Sequence, residues 1–457
     1  MGKLNRRTFL GRTAAAGGAV LAMEGLMASS KLVSLPGSRV YAGGAGDYGP
    51  LIAQASNNTG AVRLKLPAGF QYTVIGTQGT IMADGRPTPT AHDGMAAFEA
   101  YGMIHLVRNH EQEGGGASSV AIGSIPYDPK ATGGTTTVVV DPVTRTVVYD
   151  FVSLSGTVRN CAGGPTPWGS WLTCEETLVV PAGNNSYTKR HGFIFEIPAA
   201  NYGETSPVAL TAMGRMEHEA VAVDPTTSII YETQDSNPSG FYRFLPSQPG
   251  SIGQPANLAA GGVLQMLAVA GLPQYDTRTG QTPGVQLTAV WVTIDFPDPQ
   301  GSQPSVQNQG IAKGAARFAR LEGAWYGNGS IFFVSTSGGN SGLGQVWEYT
   351  PTGTDTGILK LVYESTSSAV LEAPDNLHFT PRGGILLCED GGGFNFLRGL
   401  TPAGVVFDFV GHNTSDSEVA GATFSRDGKT LFFNYQGTGE TFAVWPRDGH
   451  SWEEGAL

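Results

Sequence analysis

The amino-acid sequence predicts an all-β protein, a six-bladed β-propeller with loop insertions at the blade edges, and three observations support this prediction. Glycine contributes 65 of 457 residues, about twice its usual share, and only 14% of residues are charged. No long stretch shows the 3.6-residue periodicity of an amphipathic helix. A unit of strand, turn and strand instead recurs six times along the chain.

Each copy of this unit has an acidic or small start, an apolar strand, a turn rich in glycine, proline, aspartate or asparagine, a second apolar strand and a polar end. The starts are Asp93, Cys161, Glu219, Glu322, Asp375 and the region of Glu418, and the ends are Glu111, Glu175-Glu176, Asp235, Ser335-Thr336-Ser337, Glu389-Asp390 and Gln436. Room remains between the copies for the two further strands of a propeller blade.

The chain is expected to form one domain behind an export signal. Residues 1–42 are predicted to be a signal peptide and a flexible mature N-terminus, because Arg6-Arg7 stands ahead of Phe9-Leu10 and an Ala/Gly-rich run interrupted by Glu24. This pattern resembles a twin-arginine (Tat) signal, and the run is too short to span a membrane. Residues 43–457 are predicted to form a single propeller domain, with 247–310 as an insertion from a blade edge.

The charge balance limits the partners. The formal net charge is −11, from 38 acidic and 27 basic residues, and no cluster of lysine and arginine stands out, which argues against nucleic acid. An anionic substrate would need a few placed arginines or bound metal ions to overcome the negative field. Bound cations would also account for the excess of acids.

The repeated unit brings acids together at one place. The start of the first strand and the end of the second lie at the same end of an antiparallel hairpin, so the starts and ends of all six units are expected to ring one mouth of the channel. Carboxylates this close raise one another's pKa, and multivalent cations would relieve their repulsion. Each acid alone also fits a solvated turn residue, and the shared register favours a site.

The three cysteines also bear on a metal site. Cys161, Cys174 and Cys388 cannot all pair with one another, and Cys174 and Cys388 fit buried strand residues. Cys161 lies before a glycine-rich turn in the hairpin that ends in Glu175-Glu176, so a soft ligand and hard ligands share one hairpin. Three histidines, namely His110, His218 and His378, fit either ligands or strand-end residues.

Several segments together resemble the PhoX family of secreted alkaline phosphatases. They are the twin-arginine leader, Asn109-His110-Glu111, Arg159-Asn160-Cys161-Ala162-Gly163-Gly164, Cys174-Glu175-Glu176, Glu217-His218-Glu219, Arg320-Leu321-Glu322-Gly323 and Cys388-Glu389-Asp390-Gly391. The resemblance implies a propeller that holds ferric and calcium ions (Fe3+ and Ca2+) and hydrolyses phosphate monoesters and some diesters. The protein is then expected to be a monomer in the periplasm or outside the cell, exported by the Tat machinery and acting on a small phosphoester.

The resemblance also implies roles for residues. Cys161 matches an iron ligand of the family, and Arg320 matches an arginine that contacts phosphate. Arg320 and Glu322 are therefore the predicted catalytic residues. The carboxylates expected to complete the iron and calcium sites are Glu111, Glu175, Glu176, Glu219, Glu322, Glu389 and Asp390.

Two other functions fit parts of the sequence. A calcium-dependent lactonase or esterase propeller would need one hard cation and an acid–base residue such as His110 or His218, but it leaves Cys161 unexplained. A non-catalytic exported propeller would use its acids to bind calcium for stability alone. Iron content separates the phosphatase from both alternatives.

Overall fold

The computed structural model describes residues 48–115, 122–182 and 186–447, together with Trp452, Gly455 and Leu457. Within these residues the chain is almost entirely β-structure, with one short α-helix and two 3-10 turns. The predicted signal peptide, residues 1–42, lies outside the described residues. In the described part of the chain, no helix has the length and apolar character that crossing a membrane requires.

The strands follow one another with short connections. The first thirteen are β1 (Leu51–Ala55), β2 (Val62–Pro67), β3 (Phe70–Thr77), β4 (His92–Ala100), β5 (Met103–His110), β6 (Gly133–Val140), β7 (Val147–Thr157), β8 (Asn160–Pro165), β9 (Ser170–Glu175), β10 (Ile194–Pro198), β11 (His218–Val223), β12 (Ile230–Gln234) and β13 (Phe241–Pro246). The others are β14 (Gly262–Val269), β15 (Gln286–Thr293), β16 (Leu321–Gly327), β17 (Ser330–Ser335), β18 (Gln345–Pro351), β19 (Gly357–Glu364), β20 (Pro374–Phe379), β21 (Ile385–Glu389), β22 (Phe396–Leu400), β23 (Val406–His412), β24 (Val419–Phe424), β25 (Leu431–Tyr435) and β26 (Glu440–Pro446). The helix is α1 (Val306–Ala312), and the 3-10 turns are Thr211–Met213 and Leu258–Ala260.

All six expected hairpins are present as antiparallel pairs. They are β4–β5, β8–β9, β11–β12, β16–β17, β20–β21 and β24–β25. The first strand of each hairpin contacts the first strand of the next, and β24 returns to β4. One narrow channel is therefore lined by all six first strands, in a propeller-like arrangement.

The hydrogen-bonded sheets number five among the described residues, although the sequence predicts six separate blades. Their orders are β4-β5-β6-β7, β10-β9-β8, β24-β25-β26-β3, β1-β2-β23-β22-β21-β20 and β11-β12-β13-β14-β15-β19-β18-β17-β16. The nine-stranded sheet arises because β15 pairs with β14 on one side and with β19 on the other. Residues 247–310, expected to be an insertion, supply both β14 and β15.

A β-bulge interrupts each of the six first strands near its beginning. The pairing register shifts between His92 and Met95, Asn160 and Gly163, His218 and Val221, Leu321 and Ala324, Pro374 and Leu377, and Ala420 and Thr423. A bulge inserts an extra residue, bends the strand and turns a side chain in a new direction. The shift follows the first residue in five of the strands and the second residue in β24, so all six bulges lie close to the channel mouth.

Glycines let the first strands approach closely at the bulges. A Cβ atom on Gly94 would lie 2.5 Å from Cα of Ala162, and one on Gly323 would lie 2.7 Å from Cα of Asn376. Both distances are below van der Waals contact, so the backbones of neighbouring first strands touch where a side chain would keep them apart.

The ring is closed by a strand from the beginning of the chain. Strand β3 pairs with β26 and completes the sheet of the last hairpin. Phe442 on β26 is fully buried there, stacks on Phe433 with ring centroids 5.5 Å apart, and lies 6.0 Å from the ring of Tyr72 on β3. The closure therefore depends on aromatic packing as well as on the strand ladder.

We expect Phe442→Ala to lower the free energy of unfolding by about 3–5 kcal/mol, because it removes a large buried ring and leaves a cavity. Urea denaturation monitored by tryptophan fluorescence measures this change. Val143→Ala is the control, since Val143 is 76% exposed and its truncation should change the stability by about 0.5 kcal/mol or less. A Phe442→Ala protein as stable as the wild type would contradict this account of closure.

Candidate metal centre

Three positions of each hairpin meet at one mouth of the channel. We call the residue before the first strand the lead position, the second residue of that strand the bulge position, and the residue after the second strand the exit position. In every hairpin the backbone N–H at the exit position donates to the carbonyl at the lead position. This bond, from Glu111 to Ala91 or from Glu176 to Arg159, holds the three positions together.

The three sets differ in their chemistry. The bulge positions hold Asp93, Cys161, Glu219, Glu322, Asp375 and Ala420. The exit positions hold Glu111, Glu176, Asp235, Thr336, Asp390 and Gln436. The lead positions hold Ala91, Arg159, Glu217, Arg320, Ala373 and Glu418. The mouth is thus crowded with acids, with one thiol and two arginines among them.

Two compact groups of potential metal ligands result. Glu111, Cys161 and Glu176 form the first, and Glu219, Glu322 and Asp375 form the second. Within each group the potential ligand atoms all lie within 4.8 Å of one another. The first group mixes a thiol with carboxylates, whereas the second offers oxygen alone.

The thiol of Cys161 lies among oxygen atoms. Its Sγ is 3.5 Å from Oε2 of Glu176, 3.6 Å from the carbonyl of Arg159 and 4.0 Å from the carbonyl of His218. Burial, and then the nearby acids led by Glu219, raise the pKa of Cys161 well above its ordinary value. Without a cation the residue is therefore a thiol, and a bound cation would favour the thiolate.

Burial and mutual repulsion act on the carboxyls in the same way. Burial, reinforced by neighbouring acids, raises the pKa of Glu176 and of Asp375 to about 8. The same two causes raise the pKa values of Asp93, Glu219 and Glu322 well above the usual range. Oε1 of Glu219 is buried and has no hydrogen-bond partner among the described residues. Bound cations would relieve the repulsion among these buried acids and stabilise their charged forms.

Arg159 and Arg320 offset part of the negative charge. Nη2 of Arg159 lies 3.1 Å from Oε1 of Glu111 and 2.7 Å from Oε2 of Glu176. Nη2 of Arg320 lies 2.7 Å from Oδ2 of Asp235 and 2.9 Å from Oε1 of Glu322. Both arginines have positive φ, 50° and 45°, an uncommon conformation for a residue with a side chain. Each arginine therefore joins acids of two strands at the mouth.

Three of the carboxylates expected from the sequence, Glu175, Glu389 and Asp390, lie outside both groups. Glu175 accepts hydrogen bonds from the backbone N–H groups of Val158, Gly192 and Phe193, and it pairs with Nδ1 of His191 at 2.6 Å. Neighbouring residues of a strand point to opposite faces, so Glu175 faces the interior while Glu176 faces the mouth.

Glu389 shows the same alternation beside Asp390. Its carboxylate accepts from the backbone N–H groups of Glu372 and Phe396, and it pairs with Nε of Arg398 at 2.6 Å. Asp390 occupies an exit position, and burial, opposed by Arg320, raises the pKa of its carboxyl. Asp390 therefore faces the mouth without belonging to either compact group.

Several residues at the mouth are absent from the ligand set expected from the sequence. Asp375 belongs to the second group, and the carboxyl of Asp93 accepts a hydrogen bond from Nε2 of Gln436 at 2.9 Å. Burial, followed by repulsion from Asp93, raises the pKa of Glu418 well above its ordinary value. The signal that identifies them is register, because they occupy the same lead or bulge positions as Arg159, Cys161 and Glu322.

The histidines lie away from these groups. His110 contacts the carbonyl of Thr90 and the hydroxyl of Thr136, and His218 contacts the carbonyl of Gly214. Burial lowers the pKa of His218 to about 4 and that of His110 well below its ordinary value. His378 packs on Trp325 with ring centroids 4.2 Å apart. None of the three contributes an atom to the two groups.

Fold and site together define a class, an all-β propeller-like protein with a buried cluster of acids and a thiol at one channel mouth. The family model of the alkaline phosphatase PhoX matches residues 46–150 and 141–439. The chain belongs to this family and is a phosphoric ester hydrolase, so the resemblance expected from the sequence is confirmed.

A solved structure shares the architecture. PhoX of Pseudomonas fluorescens, in complex with vanadate, a transition state analogue, is similar with a TM-score of 0.64 at 17% identity, over 89% of this chain and 99% of that chain. A gluconolactonase of Xanthomonas campestris matches at 11% identity over 90% of this chain and 99% of that chain, with a TM-score of 0.40. No curated protein matched the sequence.

The pair of Glu175 and His191 generates a pH-dependent prediction. Burial alone would lower the pKa of His191, but the ion pair and hydrogen bond with Glu175 and the hydrogen bond with Asp128 outweigh it and raise the pKa. A raised pKa in the folded state stabilises the fold at low pH, and this contribution is lost as the pH rises through the raised value.

We therefore expect His191→Gln to destabilise the protein most below about pH 6 and progressively less as the pH rises above the ordinary histidine pKa of about 6.5. Urea unfolding of both proteins between about pH 5 and pH 9 measures the difference. A difference that grows with pH would contradict the ion pair.

Proposed function

We propose that this protein is a metal-dependent phosphatase that hydrolyses phosphate monoesters, and some diesters, at a cluster of ferric iron and calcium ions in the channel mouth. The observation that carries the proposal is the convergence of one thiol and five carboxylates in two groups at one end of the channel. Membership of the PhoX family supports the phosphoester chemistry. The choice of metals rests on the donor atoms.

The residues fit these ions. A thiolate with two carboxylates suits ferric iron, so Glu111, Cys161 and Glu176 would hold iron. Oxygen ligands in flexible number suit calcium, so Glu219, Glu322 and Asp375 would hold calcium. The partnerless Oε1 of Glu219 is consistent with an ion, because a buried carboxylate oxygen without a partner is costly. Glu175 and Glu389 are left out of this set because protein donors already occupy their carboxylates.

The chain contributes binding and orientation to the reaction. When bound, the ions would polarise the phosphoester and acidify a water molecule. The guanidinium fork of Arg320 lies at the mouth with Nε and Nη2 bound to acids, and the side chain is 45% exposed, so its remaining N–H donors can reach a phosphate group. Glu322 and Asp235 fix the direction of that fork. Arg159 offers a second positive charge with a side chain that is 35% exposed.

The finer fold and the location are part of this proposal. The nine-stranded sheet would comprise two blades joined through β15, which gives six blades, one for each hairpin. Residues 43–457 would form the single catalytic domain. The twin-arginine segment at Arg6-Arg7 supports export of a folded, metal-loaded monomer through the Tat machinery to the periplasm or beyond.

The first test is Cys161→Ala, made in protein exported through its own leader. We expect loss of iron by elemental analysis and a fall of about 100-fold or more in turnover of a chromogenic phosphomonoester, because several kcal/mol of transition-state stabilisation depend on the metal. Treatment of the wild type with a chelator should produce the same loss.

Cys174→Ala is the matched control. Cys174 is fully buried in the same hairpin, and its thiol forms no hydrogen bond among the described residues. This variant should keep its iron and its turnover. Full activity in the Cys161→Ala protein, or calcium without iron and no phosphatase activity in the wild type, would overturn the proposal.

The second test is Arg320→Ala. Hydrogen bonds to charged groups contribute about 1.5–3 kcal/mol, so we expect kcat/KM to fall about 10- to 100-fold. Arg320→Lys should recover only part of the loss, since lysine lacks the planar fork. Arg447→Ala is the control, because Arg447 follows the far end of β26 and contacts Gln54 and Ala68. Equal kcat/KM in the wild type and Arg320→Ala, with equal metal content, would exclude a role for Arg320 in phosphate binding.

A further inference from the structure

Three polar side chains cross from one hairpin to the bulge of the next. Asn109, Thr233 and Asn434 each lie two residues before an exit position, on the second strand of a hairpin. We call them the latch residues. All three are completely buried, so their hydrogen bonds are shielded from water.

Each latch residue donates to the backbone of a bulge residue in the following hairpin. Nδ2 of Asn109 lies 3.0 Å from the carbonyl of Cys161. Oγ1 of Thr233 lies 2.5 Å from the carbonyl of Glu322, and Nδ2 of Asn434 lies 2.6 Å from the carbonyl of Asp93. The latches thus contact the three bulge residues at their backbones, leaving the side chains free to face the mouth.

The donors are themselves held in place. Oδ1 of Asn109 accepts from Nε1 of Trp171 at 2.9 Å and from the hydroxyl of Thr173 at 2.8 Å. Oδ1 of Asn434 accepts from the hydroxyl of Thr441 at 2.7 Å, and Oγ1 of Thr233 accepts from the backbone N–H of Ala220 at 2.9 Å. Such fixed partners determine which way each latch points.

The bulges give the latches a structural role. A bulge disrupts the strand ladder and leaves backbone groups without their usual partners. An unpaired carbonyl in a buried channel wall is costly, and a side-chain donor relieves that cost. A donor from the neighbouring hairpin does this and also fixes the position of the bulge relative to that hairpin.

The same register is not polar in every hairpin. Cys174, Val334 and Cys388 occupy it on β9, β17 and β21. Polar latches therefore face Asp93, Cys161 and Glu322, of which Cys161 and Glu322 belong to different ligand groups. If a residue at this position only had to fill space, an apolar side chain would be sufficient. The fully buried Val334 is an example.

We infer that Asn109, Thr233 and Asn434 are positioning residues for the metal site, which hold the bulged backbones of Cys161, Glu322 and Asp93 so that their side chains converge. The inference rests on the proposed function, since it assigns the latches to residues that would bind or surround the ions. It adds a second layer of residues, on neighbouring strands, that sets the affinity of the site.

The test uses Thr233→Val, which keeps the shape of the side chain and removes its hydroxyl, and Thr233→Ser, which keeps the hydroxyl. Partners behind metal ligands typically change metal affinity 10- to 100-fold, so we expect Thr233→Val to lose metal at a chelator concentration about 10-fold lower than the wild type. Thr233→Ser should resist the chelator as the wild type does. Elemental analysis of the dialysed holoprotein gives the metal retained.

Thr137→Val is the matched control. It is the same substitution at a threonine that is 1% exposed on β6, where no hydrogen bond to a bulge residue exists among the described residues. It should retain metal like the wild type even if its stability falls. Equal metal retention in Thr233→Val and the wild type, or equal losses in both valine variants, would overturn the inference. A wild type without metal would overturn the proposed function itself, and the latch role with it.

A second variant covers the case in which Thr233→Val does not fold. Asn109→Asp has the same shape but replaces the donor that faces the carbonyl of Cys161 with an acceptor. The expected result is a shift or loss of the visible absorption of a Cys161 thiolate bound to ferric iron, with kcat lowered more than KM is raised. An unchanged spectrum in the folded, iron-loaded variant would contradict the latch.

Discussion

The six β-bulges at the beginnings of the first strands are the constraint on which the rest of this structure depends. Each bulge adds a residue to a strand of the channel wall, and in five of the six strands it lies at the second position and turns that side chain toward the mouth. The backbone bond between exit and lead positions then brings the ends of both strands to the same place. A simple repeat of hairpins is thereby converted into a ring of functional groups.

Electrostatics make that ring an unusual protein surface. Burial and repulsion between neighbouring acids raise the pKa values of Glu176 and Asp375 to about 8 and those of Asp93, Glu219 and Glu322 well above the usual range. Arg159 and Arg320 pair with only four acids at the mouth. The remaining charge could be neutralised by protons or by cations, and cations also satisfy the thiol and the partnerless oxygen of Glu219.

The sequence predicts the hairpins and their common orientation because both follow from local patterns. Alternating apolar strands and turn residues define each hairpin, and antiparallel geometry alone places Asp93 and Asp375 at the same mouth as Cys161. The family resemblance is confirmed by the match to the PhoX model. The joining of two groups of strands through β15 depends on long-range pairing, which no local pattern of residues 247–310 indicates.

The sequence predicts the direction of a side chain less well than its position along the strand. In the pairs Glu175-Glu176 and Glu389-Asp390, one carboxylate faces the mouth and its neighbour binds interior donors. Strand alternation requires such a division. Which member of each pair faces inward depends on His191, which pairs with Glu175, and on Arg398, which pairs with Glu389, and both contacts arise only from the tertiary fold. The latch bonds likewise join different hairpins, so they depend on tertiary structure that no local sequence pattern indicates.

Anomalous X-ray diffraction from crystals of the exported protein, recorded on both sides of the iron absorption edge, tests the central claim most directly. The account predicts an iron peak within bonding distance of Sγ of Cys161 and of the carboxylates of Glu111 and Glu176, with a second, non-iron ion among Glu219, Glu322 and Asp375. An exported, active phosphatase whose crystals show no metal at either group would contradict it.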